Sequence, residues 1–362
     1  MQAILIREVG SYELADLPAP EPGPGEALIR VSVTGLCRTD LKIIRHGHRD
    51  LTLPRVPGEE VVGEVLALGP PAPAVARPSD GVSPVSAGGS FVPGDRVYVY
   101  PGVWCGECPS CRRGAENLCR RMRIMGFHRD GGFAEYVVAP LQSLIPVPEG
   151  LSDEEAVFAE PLSCCLNALE LGGVAEGDAL GVWGAGPAGT LLSRAGALRG
   201  AGVVVVDPDE GRRRRLAAAA GTPARVSAHV APPDLLDVAI VAVGAPEAYA
   251  AAFEALAPRG RLVVFSGLLP DADRGLHVGL NRIHYHEHTI VGAYGCSFRH
   301  GVDALDLLGG GRLRVDDLSS HRLPLAELDR GLDIVARRTG MKVHLYPEHG
   351  STPRSVTPIS SS

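Results

Sequence analysis

Residues 180–189 read Leu180-Gly181-Val182-Trp183-Gly184-Ala185-Gly186-Pro187-Ala188-Gly189. An apolar run, 179–183, enters a G-x-G-x-x-G turn, and a helical pattern continues to about Gly200. In such a turn Gly184 permits the tight bend, Gly186 lets the backbone approach a pyrophosphate, and Gly189 lets helix and strand pack closely. The phosphates sit at the helix start, beside Pro187 and Ala188, where unpaired N–H groups and the helix dipole favour anions. Alone the motif is a weak signal. Its context strengthens it, because the next apolar run, 203–206, ends at Asp207. A carboxylate there accepts the ribose hydroxyls of an adenosine and repels a 2′-phosphate, so the expected cofactor is NAD, not NADP. The run Arg212–Arg215 is the counter-signal, since arginines hold a 2′-phosphate. Its plainer reading is an exposed helix face with Arg212 near the adenine.

Outward from this turn, further strands are expected at 238–243, 261–265 and 289–291, with a helix at 211–220. Val243 and Gly244, ending the first of these strands, are expected along the cofactor groove. Ser152 and Glu155 form a capping box at a helix start. Strand–helix alternation over 151–295 implies a doubly wound parallel α/β domain. Residues 1–150 instead show short alternating runs (3–6, 26–33, 61–66, 96–100, 133–138) broken by Gly and Pro, which suggests a β-barrel unit. Residues 296–346 are expected to pack back onto that barrel through helices at 300–308 and 325–338. The Pro/Ser/Ala/Gly-rich stretch 70–90 is expected to be a mobile surface insertion, and 347–362 has the composition of a disordered tail.

The chain has 362 residues and 37.9 kDa, enough for two domains. Its 45% hydrophobic and 21% charged residues are ordinary globular values. A formal charge of −7 and a pI near 6.0 disfavour a general nucleic-acid binder. No apolar run approaches about 18 residues, and the acidic start lacks a signal-peptide pattern, so a cytoplasmic protein with no membrane partner is expected. Of the 35 basic residues only Lys42 and Lys342 are lysines.

Four of the eight cysteines form Cys105-x2-Cys108-x2-Cys111-x7-Cys119. Four thiolates at this spacing close a tetrahedral shell around zinc, a structural site with no open position. An iron–sulfur cluster is the competing occupant. Arg112, Arg113, Arg120, Arg121 and Arg123 around it fit either a nucleic-acid zinc module or, given the acidic whole, a solvated rim that offsets thiolate charge.

With these features the chain resembles the zinc-dependent medium-chain alcohol dehydrogenases over about residues 1–346. The carrying segments are Cys37-Arg-Thr-Asp40, Gly58-Glu-Glu-Val-Val-Gly63, Pro93-Gly-Asp-Arg-Val97, the cysteine lobe, Asp130-Gly-Gly-Phe-Ala-Glu-Tyr136 and the Gly-rich turn. Glu160-Pro-Leu-Ser163 and the stretch from Asn281 to Gly295 resemble the sorbitol and threonine dehydrogenase branch. The resemblance implies a GroES-like catalytic domain, a Rossmann domain, a cleft between them, a structural zinc and a homodimer or homotetramer.

It also implies a catalytic zinc on Cys37, on the residue that follows Gly58, and on Glu160. Thr39 would take the substrate proton, Asp40 would support the ligands, and Arg38 would contact the pyrophosphate. Two departures stand out. Glu59 occupies the usual histidine position, leaving a Cys37–Glu59–Glu160 shell that Glu60 is able to enter. Such a shell carries three negative charges against Zn²⁺, weakens its Lewis acidity, and leaves loss of the catalytic metal as the alternative. Lys42 stands where a relay histidine is expected, with His46 and His48 near enough to take over. Cys164, one turn after Glu160, is a substitute ligand; Cys165 and Cys296 have no assigned role. Phe127 and His128 are weighed equally as substrate-facing residues and as loop packing. The implied activity is NAD-dependent oxidation of a secondary alcohol on a polyol, sugar or aminocyclitol. The alternatives are a threonine-like amino-alcohol dehydrogenase, a ketone reductase without catalytic metal, and a non-catalytic dinucleotide-sensing or zinc-ribbon protein.

Overall fold

The apolar run before the Gly-rich turn is the first strand of a parallel sheet. In this computed structural model, residues 1–71, 91–219, 224–228, 235–268, 272–273 and 279–349 are described. Across the sheet the six strands run Arg225–Ser227, Gly202–Val206, Ala179–Trp183, Leu236–Val241, Leu256–Val264, Thr289–Gly292. In order of entry this is 3-2-1-4-5-6, the doubly wound order, which reverses between the first and fourth strands. The crevice outside the carboxyl ends of Ala179–Trp183 and Leu236–Val241 is therefore the ligand position. Both faces are covered, which is why the strands read as nearly continuous Val, Leu and Ile. Leu180, Val182, Val203, Val205, Val238 and Ile240 face the helices Ala159–Leu171 and Pro187–Leu198. Trp183, Val206, Val241 and Leu262 pack on the opposite side with Tyr249 and Phe253 of Pro246–Glu254.

The second sheet has seven strands and is organised by the long strand Glu26–Leu36. This strand pairs antiparallel with Glu60–Leu68, Tyr136–Pro140 and Lys342–Tyr346. Arg96–Val99, Leu144–Pro146 and Ser319–Pro324 extend it. Every second residue of the long strand, Ala27 to Val33, is buried. Its last residues deliver Cys37 to the N-terminus of the helix Arg38–His46.

Three expectations are corrected. Gln2–Leu5 does not join the barrel sheet but forms a two-stranded sheet with Glu13–Asp16. The expected strand near 133–138 begins at Tyr136, Ala134 contributing only an isolated bridge to Ala3. The stretch 296–346 is divided between the domains. Phe298–Gly309 lies along Ala159–Leu171, burying Ala304, Leu305 and Leu308 in the nucleotide-domain core, while the strands Ser319–Pro324 and Lys342–Tyr346 return to the barrel. The expectation for 70–90 falls, from 72 onward, outside the described residues, as does that for 347–362 from 350 onward. Among the described residues no helix is long and apolar enough to cross a membrane.

Candidate active site and metal centres

The Gly-rich turn has the shape its glycines require. Gly184 has φ +109°, and a Cβ on Gly189 would lie 1.7 Å from the Gly184 carbonyl oxygen. A Cβ on Gly186 would meet nothing within 4 Å, so the first turn of Pro187–Leu198 is open to a ligand. Val243 lies against Gly184, and Gly244 follows it at the sheet's carboxyl edge. Asp207 is buried at the end of the second strand. Its Oδ2 accepts the Ala185 N–H at 2.7 Å and its Oδ1 accepts the Asp209 N–H at 2.9 Å.

Arginines gather beside it. Arg212 Nη1 is 3.9 Å from Asp207 Oδ2, and its Nη2 donates to the Arg338 carbonyl at 2.9 Å. Burial, then the charges of Arg338 and Arg212, lower the pKa of Arg38. The Arg38 guanidinium is thus repelled by those of two other segments, an arrangement that an anionic group relieves. Arg214 instead pairs outward with Glu210.

The four-cysteine lobe is closed. Sγ–Sγ separations are 3.8 Å for Cys105–Cys111, 3.5 Å for Cys108–Cys111 and 3.5 Å for Cys105–Cys119. A tetrahedral shell with Zn–S bonds of about 2.3 Å has edges of about 3.8 Å. Backbone N–H groups of Cys105, Cys108 and Arg121 donate to sulfur. Burial raises the Cys105 thiol, but the Glu107 backbone N–H and the Arg121 side chain outweigh it and hold the thiol at about 6. Arg112, Arg113, Arg120, Arg121 and Arg123 are all exposed, a solvated rim in which Arg121 pairs with Glu107.

The third site lies where Arg38–His46, the start of Glu60–Leu68 and Ala159–Leu171 meet. Cys37 caps its helix, and its N–H donates to Asp40 Oδ2 at 2.8 Å; among the described residues the buried Asp40 Oδ1 has no hydrogen-bond partner. Burial is the largest cause pushing Asp40 up to about 6. Burial and Glu60 push Glu160 up to about 7, against Lys342. Glu59 stands well above the carboxylate range through burial, then Glu160, Asp40 and Glu60. Burial, then Asp40, Glu60 and Glu59, raise the Cys37 thiol. This is a pocket of crowded acids.

Glu60 is committed elsewhere. Lys342 Nζ donates to both its carboxylate oxygens at 2.6 Å, and both side chains are buried. A Cβ on Gly35 would fall 1.8 Å from Glu60 Oε2, so only glycine there leaves the carboxylate its place. The expectation that Glu60 enters a metal shell is corrected on this ground: entry would leave a buried ammonium unpaired. Phe127 follows the loop-packing alternative. It is buried in the barrel core, edge-on to His48, and His128 Nδ1 accepts the Ile124 N–H at 3.1 Å, so both serve loop packing. Thr39, Lys42 and His46 have exposed side chains along one helix; partial desolvation of Lys42, then the Arg38 charge, lowers its pKa.

The model of the alcohol dehydrogenase GroES-like domain matches residues 23–149, and that of the zinc-binding dehydrogenases matches 187–309. D-altritol 5-dehydrogenase of Agrobacterium fabrum is 32% identical over 91% of this chain and 94% of its own. L-threonine 3-dehydrogenase of Pyrococcus horikoshii is 31% identical over 89% of this chain and 91% of its own. The chain belongs to the zinc-binding alcohol dehydrogenase family. A zinc-binding dehydrogenase from Sinorhizobium meliloti, solved with NADP, superposes with a TM-score of 0.82 at 30% identity, over 96% of this chain and 99% of that one. The fold is accordingly a GroES-like domain with a Rossmann domain, and the protein is an alcohol dehydrogenase that uses a nicotinamide cofactor.

Donor geometry tests the two zinc positions that this dehydrogenase family implies. The four-cysteine set fits. Among the described residues, one further group of His, Cys, Asp or Glu donors lies within 4.8 Å of one another: Glu160, Cys164 and Cys296. Cys37, Glu59 and Glu160 share the acidic pocket but are not gathered to that spacing. Sequence reasoning missed Lys342, Arg338 and Cys296. The rarity of lysine was a usable signal for the first; the others join the site only through the fold.

Proposed function

We propose that this alcohol dehydrogenase uses NAD to oxidise a secondary alcohol on a polyol, sugar or aminocyclitol to the ketone. One observation carries the reading. Arg38, adjacent in sequence to Cys37 and Thr39, lies within charge range of Arg212, whose side chain reaches Asp207. Arg38 therefore places the nucleotide crevice and the acid–thiol pocket side by side. When bound by the pocket donors, zinc supplies Lewis acidity that favours the alkoxide; NAD supplies the hydride acceptor. Gly184, Gly186 and Gly189, with the helix start at Pro187 and Ala188, cradle the pyrophosphate, and Arg38 and Arg212 neutralise it. Val243 and Gly244 line the groove, and Asp207 accepts the adenosine ribose hydroxyls. Cys37, Glu59 and Glu160 face the reacting alcohol. Thr39 takes its proton. Lys42 and His46, three and seven residues further along the same helix face, lead that proton outward.

The D-altritol relative favours a polyol substrate, and the threonine dehydrogenase relative favours an amino alcohol as the second reading. We also infer a homodimer or homotetramer. Exposed Ile290 and Tyr294 beside the open edge of Thr289–Gly292 support it. Four of the eight cysteines clustered at metal-ligand spacing support a reducing, cytoplasmic setting.

Absorbance at 340 nm with NAD or NADP, against polyols, aminocyclitols and threonine, tests the function. NADH formation with a polyol or cyclitol is expected, with kcat/KM favouring NAD over NADP by about tenfold or more, roughly 1.4 kcal/mol. Asp207→Ala is expected to narrow that ratio. A higher kcat/KM with NADP would sink the cofactor assignment; turnover of threonine alone would sink the polyol assignment.

A further inference from the structure

Glu160 and Cys164 are one turn apart on Ala159–Leu171, so their side chains leave the same helix face. Cys296 arrives from the segment between Thr289–Gly292 and Phe298–Gly309. One carboxylate oxygen and two sulfurs thereby fall within 4.8 Å of one another. Cys164 Sγ is 3.4 Å from Glu160 Oε1, and Ser163 Oγ donates to Cys296 Sγ at 2.9 Å. The backbone that carries Cys296 is tied down on both sides of the pocket. The Tyr100 hydroxyl donates to the Cys296 carbonyl at 2.7 Å, and Asn167 Nδ2 donates to the Gly295 carbonyl at 2.8 Å. Partners on Ala159–Leu171, together with Tyr100, position the two sulfurs before any ion arrives.

We propose that Glu160, Cys164 and Cys296 form a zinc site of their own, one that does not require Cys37. Two thiolates and a carboxylate are ligands zinc accepts, and three protein ligands leave a fourth position open to solvent or an alcohol. The sulfurs select a thiophilic ion over magnesium or calcium. Binding exchanges the two thiol protons, released to solvent, for the dication. Ser163 then remains as a hydrogen-bond donor to bound sulfur, the kind of outer contact that orients a ligand. The site also gives Glu59 a chemical context. Cys37, Glu59 and Glu160 offer one sulfur, two carboxylates and no imidazole. Cys164 and Cys296 add two further soft donors beside Glu160.

The test is metal content by mass spectrometry of the full chain, purified without chelator. About two zinc per chain are expected in the wild type and in Cys37→Ala, and about one in Cys164→Ser/Cys296→Ser. A wild type holding one, a Cys37→Ala protein falling to one, or a double variant keeping two overturns the proposal. Should the double variant not fold, the Cys37→Ala count and the labelling pattern decide, since a zinc held through Cys37 would be lost from that variant. Iodoacetamide labelling is compared before and after dipicolinate treatment, with modified peptides located by mass. Removal of the ion is expected to raise labelling at Cys164 and Cys296; equal labelling in both states, or a Cys164–Cys296 disulfide, overturns the site. NADH formation is read separately, so failure of the polyol reading leaves the metal count unchanged.

Discussion

Lys342→Met is expected to destabilise the protein by about 3–5 kcal/mol, because it leaves the Glu60 carboxylate buried without its cation. The ammonium sits 2.6 Å from both Glu60 oxygens, and both side chains are almost fully inaccessible. Burial alone would lower the Lys342 pKa; the charges of Glu60, Cys37 and Glu160 outweigh it and raise the value. The ammonium is therefore held charged by the acids around it. Asp40, Glu59 and Glu160 share the same region, so losing the cation also adds to their mutual repulsion. At about 2–4 °C per kcal/mol, a drop in apparent Tm on the order of 10 °C follows. Scanning calorimetry of Lys342→Met against Glu60→Gln/Lys342→Met separates charge from packing. The double variant is expected to regain most of the lost stability, since no unpaired charge remains. If the double variant is as unstable as the single one, the loss reflects packing and the electrostatic account fails.

That pair also shows where sequence reading stops. Its members are 282 residues apart, and nothing in the sequence around either one points to the other. The Gly184–Gly189 turn was legible because a tight bend, a close approach and a helix start are local demands, met within ten residues. The four cysteines were legible for the same reason. Glu59 and Glu160 could be picked out by resemblance, but their shared burial depends on how the barrel meets Ala159–Leu171. Cys296 had no motif around it and gains its neighbours only when the 296 segment crosses to the nucleotide domain. The same crossing explains the misplaced 300–308 helix. An amphipathic pattern fixes that a helix has a buried face, not which of two domains buries it. Phe127 was ambiguous because loop aromatics pack inward as readily as they line a cleft.

Removing the structural metal is expected to have the other large effect, and to reach beyond the lobe. Zinc on four thiolates contributes on the order of 10 kcal/mol to small cysteine-rich folds, and residues 105–119 contain little else to hold them. The lobe's only helical pieces are Pro109–Arg112 and the 3-10 turn Glu116–Leu118. Yet it grips the neighbouring domain. Glu116, buried, accepts the Phe298 N–H at 2.8 Å, and Asn117 Nδ2 donates to the Tyr294 carbonyl at 2.7 Å. Trp104 packs on Phe298 with ring centroids 5.5 Å apart. These contacts hold the segment that carries Cys296 and starts the helix along Ala159–Leu171. Cys111→Ser should therefore lose about one zinc per chain, admit protease within 105–119, and loosen the Tyr294–Phe298 segment. The chain has two tryptophans, Trp104 and Trp183, and the second is buried in the nucleotide domain. In a Trp183→Phe background the emission reports Trp104 alone, and Cys111→Ser is expected to red-shift it as that ring enters water. The apparent Tm should fall by about 10 °C or more, and nicotinamide-dependent turnover should fall with it. A zinc-depleted Cys111→Ser protein whose Trp104 emission and Tm match the parent would show that the lobe is a passenger. The cleft would then owe its geometry to the two sheets alone.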